Sequence, residues 1–287
     1  MKIFKQLLLP LINHPLNSKR KINAIFSFVF WQIKLRLIYP SEVDVFFTNR
    51  SKFIVQKGHT GLTGNLYCGL HEFEDMMFLL HFLRSEDQFL DIGANVGSYS
   101  ILANSHVGAK TISFEPLPAT VELLKNNKTI NGNNDTWRIE MLALGDRENS
   151  LWFTSDRDTM NQIVDESYSG NKIKVDVISL DQYCHENNIA PTLLKIDAEG
   201  FDQNVIVGGD KTLANEYVKA LIIESDTEIV KRKLSNAGFE PYTYDPFTRK
   251  LTLGFNDSSN QIYIKDINFV SDRISNAEKI SIKGYSI

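Results

Sequence analysis

The sequence is poor in cysteine. Of its 287 residues only Cys68 and Cys184 are cysteines, and they form neither a CxxC pair nor a zinc-ligand spacing. A disulfide-rich secreted scaffold is therefore excluded, and we expect a reducing compartment such as the cytoplasm. With 43% hydrophobic and 23% charged residues, the composition is also unlike that of a disordered or collagen-like chain. The length allows one large domain with an appendage.

Long hydrophobic runs are absent as well. The uncharged, mainly apolar run Ile22–Ile33 near the N-terminus is shorter than the roughly 20 apolar residues that a membrane-spanning helix requires. No small-residue cleavage site follows this run, which argues against a signal peptide. We therefore expect neither a transmembrane helix nor a cleaved leader.

Acidic residues are missing from the first 40 positions, which contain seven basic residues. The rest of the chain holds 24 basic and 35 acidic side chains, so the net charge of -4 conceals a basic arm followed by an acidic body. The acidic body argues against nucleic acid as a partner, because binding to phosphates requires many cationic side chains.

Prolines at positions 10, 15 and 40 predict two short helices in this arm. The second is amphipathic, with an apolar face of Ile22, Ile25, Phe26, Val29 and Ile33. This face packs on its own domain or on a partner subunit, or it docks peripherally at the cytoplasmic face of a membrane. We assign residues 1–50 to the arm, 51–265 to a catalytic domain and 266–287 to a C-terminal tail. The oligomeric state is left open.

Short apolar strands alternate with helices through the body. The predicted strands are Gln88–Ile92, Lys110–Phe114, Trp137–Leu144, Thr192–Ile196 and Ala220–Glu224. This alternation predicts an α/β fold with a mostly parallel sheet and helices on both faces. Leu151–Thr154 and Lys172–Ile178 interrupt it and predict an inserted hairpin, and short runs after Gly238 predict antiparallel strands that complete the sheet.

The turn after the first of these strands is glycine-rich. Asp91, Gly93 and Gly97 form a D-x-G-x-x-x-G turn in which the backbone can approach a ligand closely. The spacing differs from the G-x-G-x-x-G dinucleotide fingerprint, so a dinucleotide oxidoreductase is the least favoured reading. An ordinary tight turn is the alternative. A carboxylate in this turn suits a cationic or hydroxyl-bearing ligand better than a pyrophosphate.

Three further motifs follow strand ends. Glu115 ends the second strand, where an acidic residue can accept both hydroxyl protons of a ribose. Asp146 follows the third strand and is either a ligand for an adenine amine or an ordinary turn residue. After the fourth strand, Lys195, Asp197 and Glu199 favour proton chemistry in the same crevice; the alternative is a helix N-terminal carboxylate with a salt bridge.

These motifs carry a resemblance. The segments "FLDIGANVGSYSILA", "FEPLP", "ALGD", "LLKIDAEGFD" and "VGG" resemble, in order and spacing, those of FkbM-family methyltransferases, over about residues 70–265. The resemblance implies a class I (Rossmann-like) methyltransferase fold, with a seven-stranded mostly parallel sheet whose last strand is antiparallel. It implies S-adenosylmethionine (SAM) as cofactor and O-methylation of a hydroxyl on a sugar, glycan or glycolipid precursor, as in polysaccharide biosynthesis.

The resemblance also implies roles for residues. Asp91, Gly93, Asn95 and Gly97 would surround the methionine part of SAM, Glu115 would bind its ribose and Asp146 its adenine side. Glu72, upstream of the first strand, also matches the family pattern and is predicted to bind the cofactor. Asp197 and Glu199 would lie beside the sulfonium and the acceptor.

The acceptor hydroxyl benefits from a base. Asp197 is the first candidate; Glu199 and His71 are the others, although a histidine in an apolar helical pattern is more often a packing residue. No local metal motif exists, so a divalent cation held by Asp197, Glu199 and Glu224 is the lesser alternative. The loop Asp158–Asn161 either contacts the acceptor or is solvated.

Other functions remain open at this stage. The chain could methylate nitrogen in a protein or a small molecule, or it could be a catalytically silent SAM-binding module. The fold does not specify the acceptor.

Overall fold

The computed structural model describes residues 2–37, 42–56, 62–154, 163–225, 227–256 and 260–287. The helices are α1 Lys2–Asn13, α2 Lys21–Leu37, α3 Thr63–Cys68, α4 Phe73–Phe82, α5 Ser98–Ser100, α6 Pro118–Ile130, α7 Leu180–Asn187, α8 Asp202–Val207, α9 Asp210–Ala214, α10 Glu228–Asn236 and α11 Ile267–Ser275. A 3-10 turn, Pro15–Asn17, separates α1 from α2, and a π-helical segment, Ile101–Val107, continues α5.

The strands begin with the pair β1 Glu42–Phe46 and β2 Lys52–Gln56. They continue with β3 Gln88–Ile92, β4 Lys110–Phe114, β5 Trp137–Glu140, β6 Ala143–Gly145, β7 Asn149–Thr154, β8 Ile163–Val164, β9 Lys172–Ser179, β10 Leu193–Ile196, β11 Ala220–Ile223, β12 Glu240–Asp245, β13 Lys250–Leu253, β14 Gln261–Ile264, β15 Ser281–Ile282 and β16 Tyr285–Ser286.

The central sheet has the strand order β13-β12-β14-β11-β10-β3-β4-β5. Strands β5, β4, β3, β10 and β11 are parallel, and β14 is antiparallel to both β11 and β12. This arrangement confirms the predicted fold class. The sheet has eight strands rather than seven because β13 folds back on β12 and adds an edge strand. The chain order reverses between β3 and β10, which places a crevice at the carboxyl ends of these strands.

Side chains alternate between the two faces of β3 and β10. Leu90, Ile92, Leu194 and Ile196 all lie in one hydrophobic cluster on the same face. Phe89 and Leu193 belong to the cluster on the other face, which also contains α4 and the π-helical segment. In the parallel register Lys195 lies beside Asp91, so this second face carries charged groups at the carboxyl end of the sheet.

The third predicted strand, Trp137–Leu144, was too long. The strand β5 ends at Glu140, Met141 is exposed, and the chain then enters a second sheet with the order β6-β9-β7-β8. The inserted hairpin is confirmed as the antiparallel pair β7 and β9. Phe153, Val175 and Val177 of this hairpin bury a small core against Leu117 and Ala143, so the second sheet covers one end of the crevice.

Residues 201–213 form two helices, α8 and α9, rather than one continuous helix. The break falls at Gly208 and Gly209. A Cβ atom on Gly208 would lie 1.9 Å from the carbonyl oxygen of Gly145, so the chain passes there only because the residue is glycine. Close contact between α8 and β6 results, and it brings Phe201 against the second sheet.

Residues 266–287, which we assigned from the sequence to a C-terminal tail, pack into the domain. Helix α11 lies against α4, with Val270 and Ile274 fully buried. The last residues form the hairpin of β15 and β16, and Ile282 and Ile287 are buried in the larger core cluster.

Residues 2–37 of the arm form two helices, as expected, and pack on the body through one side, whereas Glu42–Phe46, also assigned to the arm, forms β1 and pairs with β2. Leu8, Leu11 and Ala24 form a small core with Cys68 of α3. Every helix in the described part of the chain is too short or too polar to traverse a bilayer.

Candidate active site

A cavity at the carboxyl ends of β3, β4 and β10 has an empty volume of about 750 Å³, part of which is open to solvent. Its polar wall includes Gly93 and Asn95 from the loop after β3, Glu115 after β4, and Asp197 and Glu199 after β10. Its apolar wall comes from the second sheet and its neighbours: Leu117, Leu142, Ala143, Phe153 and Phe201. The five polar residues were all predicted from the sequence, whereas the two rings were not.

The loop after β3 lies against the loop after β10. Gly93 has a φ of 77°, and a Cβ atom there would lie 1.9 Å from the carbonyl oxygen of Asp197. The amides of Gly93 and Ala94 donate to the carbonyl of Phe114 at 3.0 and 2.9 Å. Gly97 has a φ of 94°, and a Cβ atom there would lie 2.5 Å from the Leu124 side chain. Glycine is thus required here for close approach between two loops.

Asn95 lines the cavity. Its backbone adopts the left-handed conformation, with a φ of 51°. Its side-chain oxygen is buried and has no hydrogen-bond partner. A buried polar atom without a partner costs free energy. The position of this oxygen at the cavity wall is explained if a ligand supplies the missing hydrogen.

Glu115 connects two loops of the cavity. Its carboxylate accepts hydrogen bonds from the amides of Asn95 at 3.1 Å and Leu117 at 3.0 Å. Burial outweighs these bonds and raises the pKa of Glu115 to about 7. Each carboxylate oxygen has a second lone pair, so the group can still accept from a ligand's hydroxyls.

Asp91 lies behind the cavity wall rather than on it. Its Oδ2 atom accepts from the amide of Ser100 at 2.9 Å and from the hydroxyl of Ser100 at 2.5 Å. The Ser100 hydroxyl in turn lies 2.6 Å from that of Ser113. Burial raises the pKa of Asp91 to about 6, despite the bonds from Ser100. These contacts hold the start of the helix after the glycine loop; direct contact of Asp91 with a cofactor stays a prediction.

Lys195 and Asp197 form an ion pair at the end of β10. The Nζ atom of Lys195 lies 3.1 Å from Oδ2 of Asp197, and the lysine residue is only 1% exposed. Burial opposes the charge of Lys195, but the carboxylates of Asp197 and Glu72 outweigh it and raise its pKa. Burial alone would raise the pKa of Asp197, yet the bonds and charge of Lys195 lower it.

Glu224 follows the neighbouring strand β11, where the charge of Asp197 acts on it. Partial burial and this negative charge raise the pKa of Glu224 to about 7. Of the two carboxyl groups, Glu224 is therefore the one that takes up a proton near neutral pH, while Asp197 stays ionised. Sequence reasoning considered Glu224 only as a metal ligand, because the contact depends on the order of strands in the sheet.

A second polar group lies around Glu72. Its carboxylate accepts from the hydroxyl of Tyr99 at 2.9 Å and from the amide of Asn260 at 2.8 Å. Asn260 also donates to Asp75 at 3.1 Å. The Lys195 ammonium lies 5.2 Å from the centre of the Tyr99 ring. Glu72 is therefore linked to the Lys195 pair from the side opposite the cavity; Tyr99, Asp75 and Asn260 were not anticipated.

Two predicted residues lie elsewhere. His71 is exposed in the turn between α3 and α4, where its amide donates to Asn65 at 2.8 Å and its ring covers Gly64. Asp146 lines a neighbouring groove with Asp181 and His185 and lies 3.9 Å from Arg147. Neither residue belongs to the described lining of the cavity, so their assigned roles stay predictions.

Glu199 lines the cavity but is exposed, and its φ is 48°. Burial and the charge of Asp197 raise its pKa. The loop Asp158–Asn161 lies outside the described residues. Within the ranges that the structure covers, no group of three His, Cys, Asp or Glu side chains is arranged to hold a metal ion.

Residues 91–241 match the methyltransferase FkbM domain, and no curated protein matches the chain. Among solved structures, a methyltransferase FkbM from Methylobacillus flagellatus is 16% identical with a TM-score of 0.45, over 71% of this chain and 52% of that one. The chain thus spans about half the length of that relative.

Two further solved structures are similar to the chain. One is a SAM-dependent methyltransferase from Agrobacterium tumefaciens, 12% identical with a TM-score of 0.45, over 78% of this chain and 70% of that one. The other is a precorrin-6y C5,15-methyltransferase from Geobacter metallireducens, 12% identical with a TM-score of 0.38, over 68% and 85%. Because the domain match covers more than half of the 287 residues, the chain belongs to the FkbM methyltransferase domain family.

Proposed function

We propose that the protein transfers a methyl group from SAM to a hydroxyl oxygen of a sugar, in a glycan or glycolipid precursor. The observation that carries the proposal is the pair of carboxyl groups of Asp197 and Glu224 at the ends of β10 and β11. A hydroxyl is a weak nucleophile and gains from a base whose pKa is close to neutral. Sugar as the acceptor class rests on the FkbM resemblance.

The cavity has groups that fit SAM. The side-chain oxygen of Asn95 lacks a hydrogen-bond donor, and Glu115 has free lone pairs for ribose hydroxyls. Phe153 and Phe201 offer apolar surface to a flat ring. The negative charges of Asp197 and Glu199 favour a cationic sulfur centre nearby. We assign SAM to this cavity on these grounds.

SAM supplies a methyl group already activated by its positive sulfur, so the protein's part is orientation and proton transfer. When bound, SAM would supply this methyl group to the acceptor oxygen and leave as a neutral thioether, so the hydroxyl proton needs an acceptor on the protein. Glu224 in its ionised form accepts this proton at a carboxylate oxygen. Asp197, held by Lys195 at 3.1 Å, keeps its charge, and this charge keeps the pKa of Glu224 close to neutral.

The experiment has two readouts. Calorimetry measures SAM binding to the full chain, and transfer of labelled methyl from SAM is then measured on sugar precursors with free hydroxyls. We expect SAM binding and an alkali-stable methyl ether in the product. Absence of SAM binding would refute the cofactor assignment. SAM binding with label found only on an amine would refute O-methylation while leaving the cofactor intact.

A further inference from the structure

Helix α2 is apolar on more than one side. The face toward the body is covered: Ala24 is 5% exposed, and the Phe28 ring packs on that of Tyr67 with centroids 4.9 Å apart. The apolar face identified from the sequence, which was expected to pack on the body or a partner subunit or to dock at a membrane, points away from this contact. A helix with apolar residues on two sides is normally buried on both sides. The apolar face of α2 that does not contact the body therefore requires an explanation.

This second face is exposed to solvent. Ile22 is 70% exposed, Phe26 69%, Val29 45% and Ile33 49%. Their spacing of four, three and four residues places them in one stripe about 17 Å long. Leu9 of α1 adds an exposed apolar side chain to the arm, at 52%. Contiguous exposed apolar surface of this kind marks an interaction site.

The charge around the stripe indicates what covers it. The arm's seven basic residues include Lys19 and Arg20 just before α2 and Lys21 as its first residue, and the first 40 residues contain no acid. If two copies of the chain met through their arms, seven positive charges on each arm would repel those on the other. A basic helix with aromatic and aliphatic residues on its free face is suited to an anionic lipid surface.

We propose that α2 docks on an anionic membrane surface through the stripe of Ile22, Phe26, Val29 and Ile33. The helix is fixed to the body through α1 and α3, so docking would hold the catalytic domain at the membrane. The inference is independent of the chemistry proposed for the cavity. It goes beyond catalysis because the arm lies outside the matched domain.

Sedimentation of the full chain with vesicles tests the proposal. We expect binding to vesicles of phosphatidylglycerol and phosphatidylethanolamine, and much weaker binding to phosphatidylcholine vesicles. Phe26→Gln should weaken binding about tenfold or more, because an inserted ring is lost. Lys21→Gln should weaken it about fivefold, and added salt should weaken it too.

Tyr217→Gln is the matched control, since this aromatic ring is 65% exposed but lies on the body between α9 and β11. It should bind vesicles as the wild type does, and both variants should keep the wild-type melting temperature. Equal binding to both kinds of vesicle, or unchanged binding of Phe26→Gln, would overturn the proposal. Self-association that Phe26→Gln abolishes, without vesicle binding, would instead make the stripe a contact with the acidic body of a second copy.

Discussion

The ammonium group of Lys195 lies 3.1 Å from the carboxylate of Asp197, in a lysine that is 1% exposed. The same ammonium also acts electrostatically on Glu72, Asp75 and Asp91. One buried positive charge therefore balances carboxylates that reach it from β3, from β10 and from the start of α4. Without it, their repulsion would oppose folding of the carboxyl end of the sheet.

Replacing Lys195 is expected to destabilise the protein strongly. Lys195→Met removes the buried partner of Asp197, whose side chain is 36% exposed, so water screens part of the loss and we expect a cost of about 2 kcal/mol. Urea unfolding measures the change. Lys231→Met is the control: it removes a pair with Glu228, whose side chain is 90% exposed, and should cost less than about 1 kcal/mol. Similar losses for both variants would contradict this account of Lys195.

Gly93 should tolerate no side chain. Gly93→Ala places a Cβ atom against the Asp197 carbonyl at a φ of 77°, so we expect a loss of about 2 kcal/mol or more in unfolding free energy. Because the shift moves the Asp197 loop, ligand binding in the cavity should fall as well. Gly132→Ala has a φ of 99° but no atom within 4 Å, and only the backbone strain of about 1 kcal/mol applies. Calorimetry with SAM should find normal binding for that variant.

The sequence was sufficient to predict the crevice, because parallel strands place their following loops at one edge of a sheet. Gly93, Glu115 and Asp197 each follow such a strand directly, and all three line the cavity. Chain order cannot reveal contacts across the sheet. Asn260 reaches Glu72 from 188 residues away, and nothing in its local sequence marks it.

The break at Met141 was missed for a related reason. Residues 137–144 contain no glycine or proline that would mark a break, and only the pairing of Ala143 with Val177 of β9 assigns the second half to another sheet. Likewise the periodicity of α2 groups Ile22, Phe26, Val29 and Ile33 on one face, but it does not show whether that face contacts the body. The neighbouring Phe28, outside the stripe, makes that contact.

Asp75 should make stability fall with rising pH. Burial and the nearby charge of Glu72 raise its pKa from 3.8 to about 7, and its Oδ1 atom is buried without a partner. Between about pH 4 and 7 the folded state holds a proton on Asp75 that the unfolded state has lost. The contribution of Asp75 to stability is therefore most favourable below pH 3.8 and declines toward pH 7. The slope is on the order of 1 kcal/mol per pH unit.

Asp75→Asn should flatten this decline between about pH 4 and 7 and should be more stable than the wild type at pH 8. Urea unfolding across this range measures it. Asp176→Asn, in an exposed position on β9, should leave the pH profile as it is. A parallel profile for Asp75→Asn would show that Asp75 ionises normally in the folded protein.

Glu224 should set the pH dependence of catalysis. Its pKa is raised to about 7, and a base acts in its ionised form, so kcat should rise with pH through about 7 and then level off. Glu224→Gln should lower kcat about a hundredfold or more and abolish that rise, while SAM affinity stays the same. Glu228→Gln, exposed at the start of α10, is the control. A normal pH profile in Glu224→Gln would assign the base to another group.

Asn95 should matter for ligand binding and little for folding. Its side-chain oxygen is buried at the cavity wall without a hydrogen-bond donor, so deleting the amide removes an unfavourable burial instead of a contact. Glycine keeps the φ of 51° without strain. Asn95→Gly should therefore unfold at nearly the wild-type urea concentration but bind SAM about tenfold more weakly. Asn133→Gly, with a φ of 48° in an exposed turn, should change neither property. Unchanged SAM affinity in Asn95→Gly would mean that the unpaired oxygen faces no part of the cofactor.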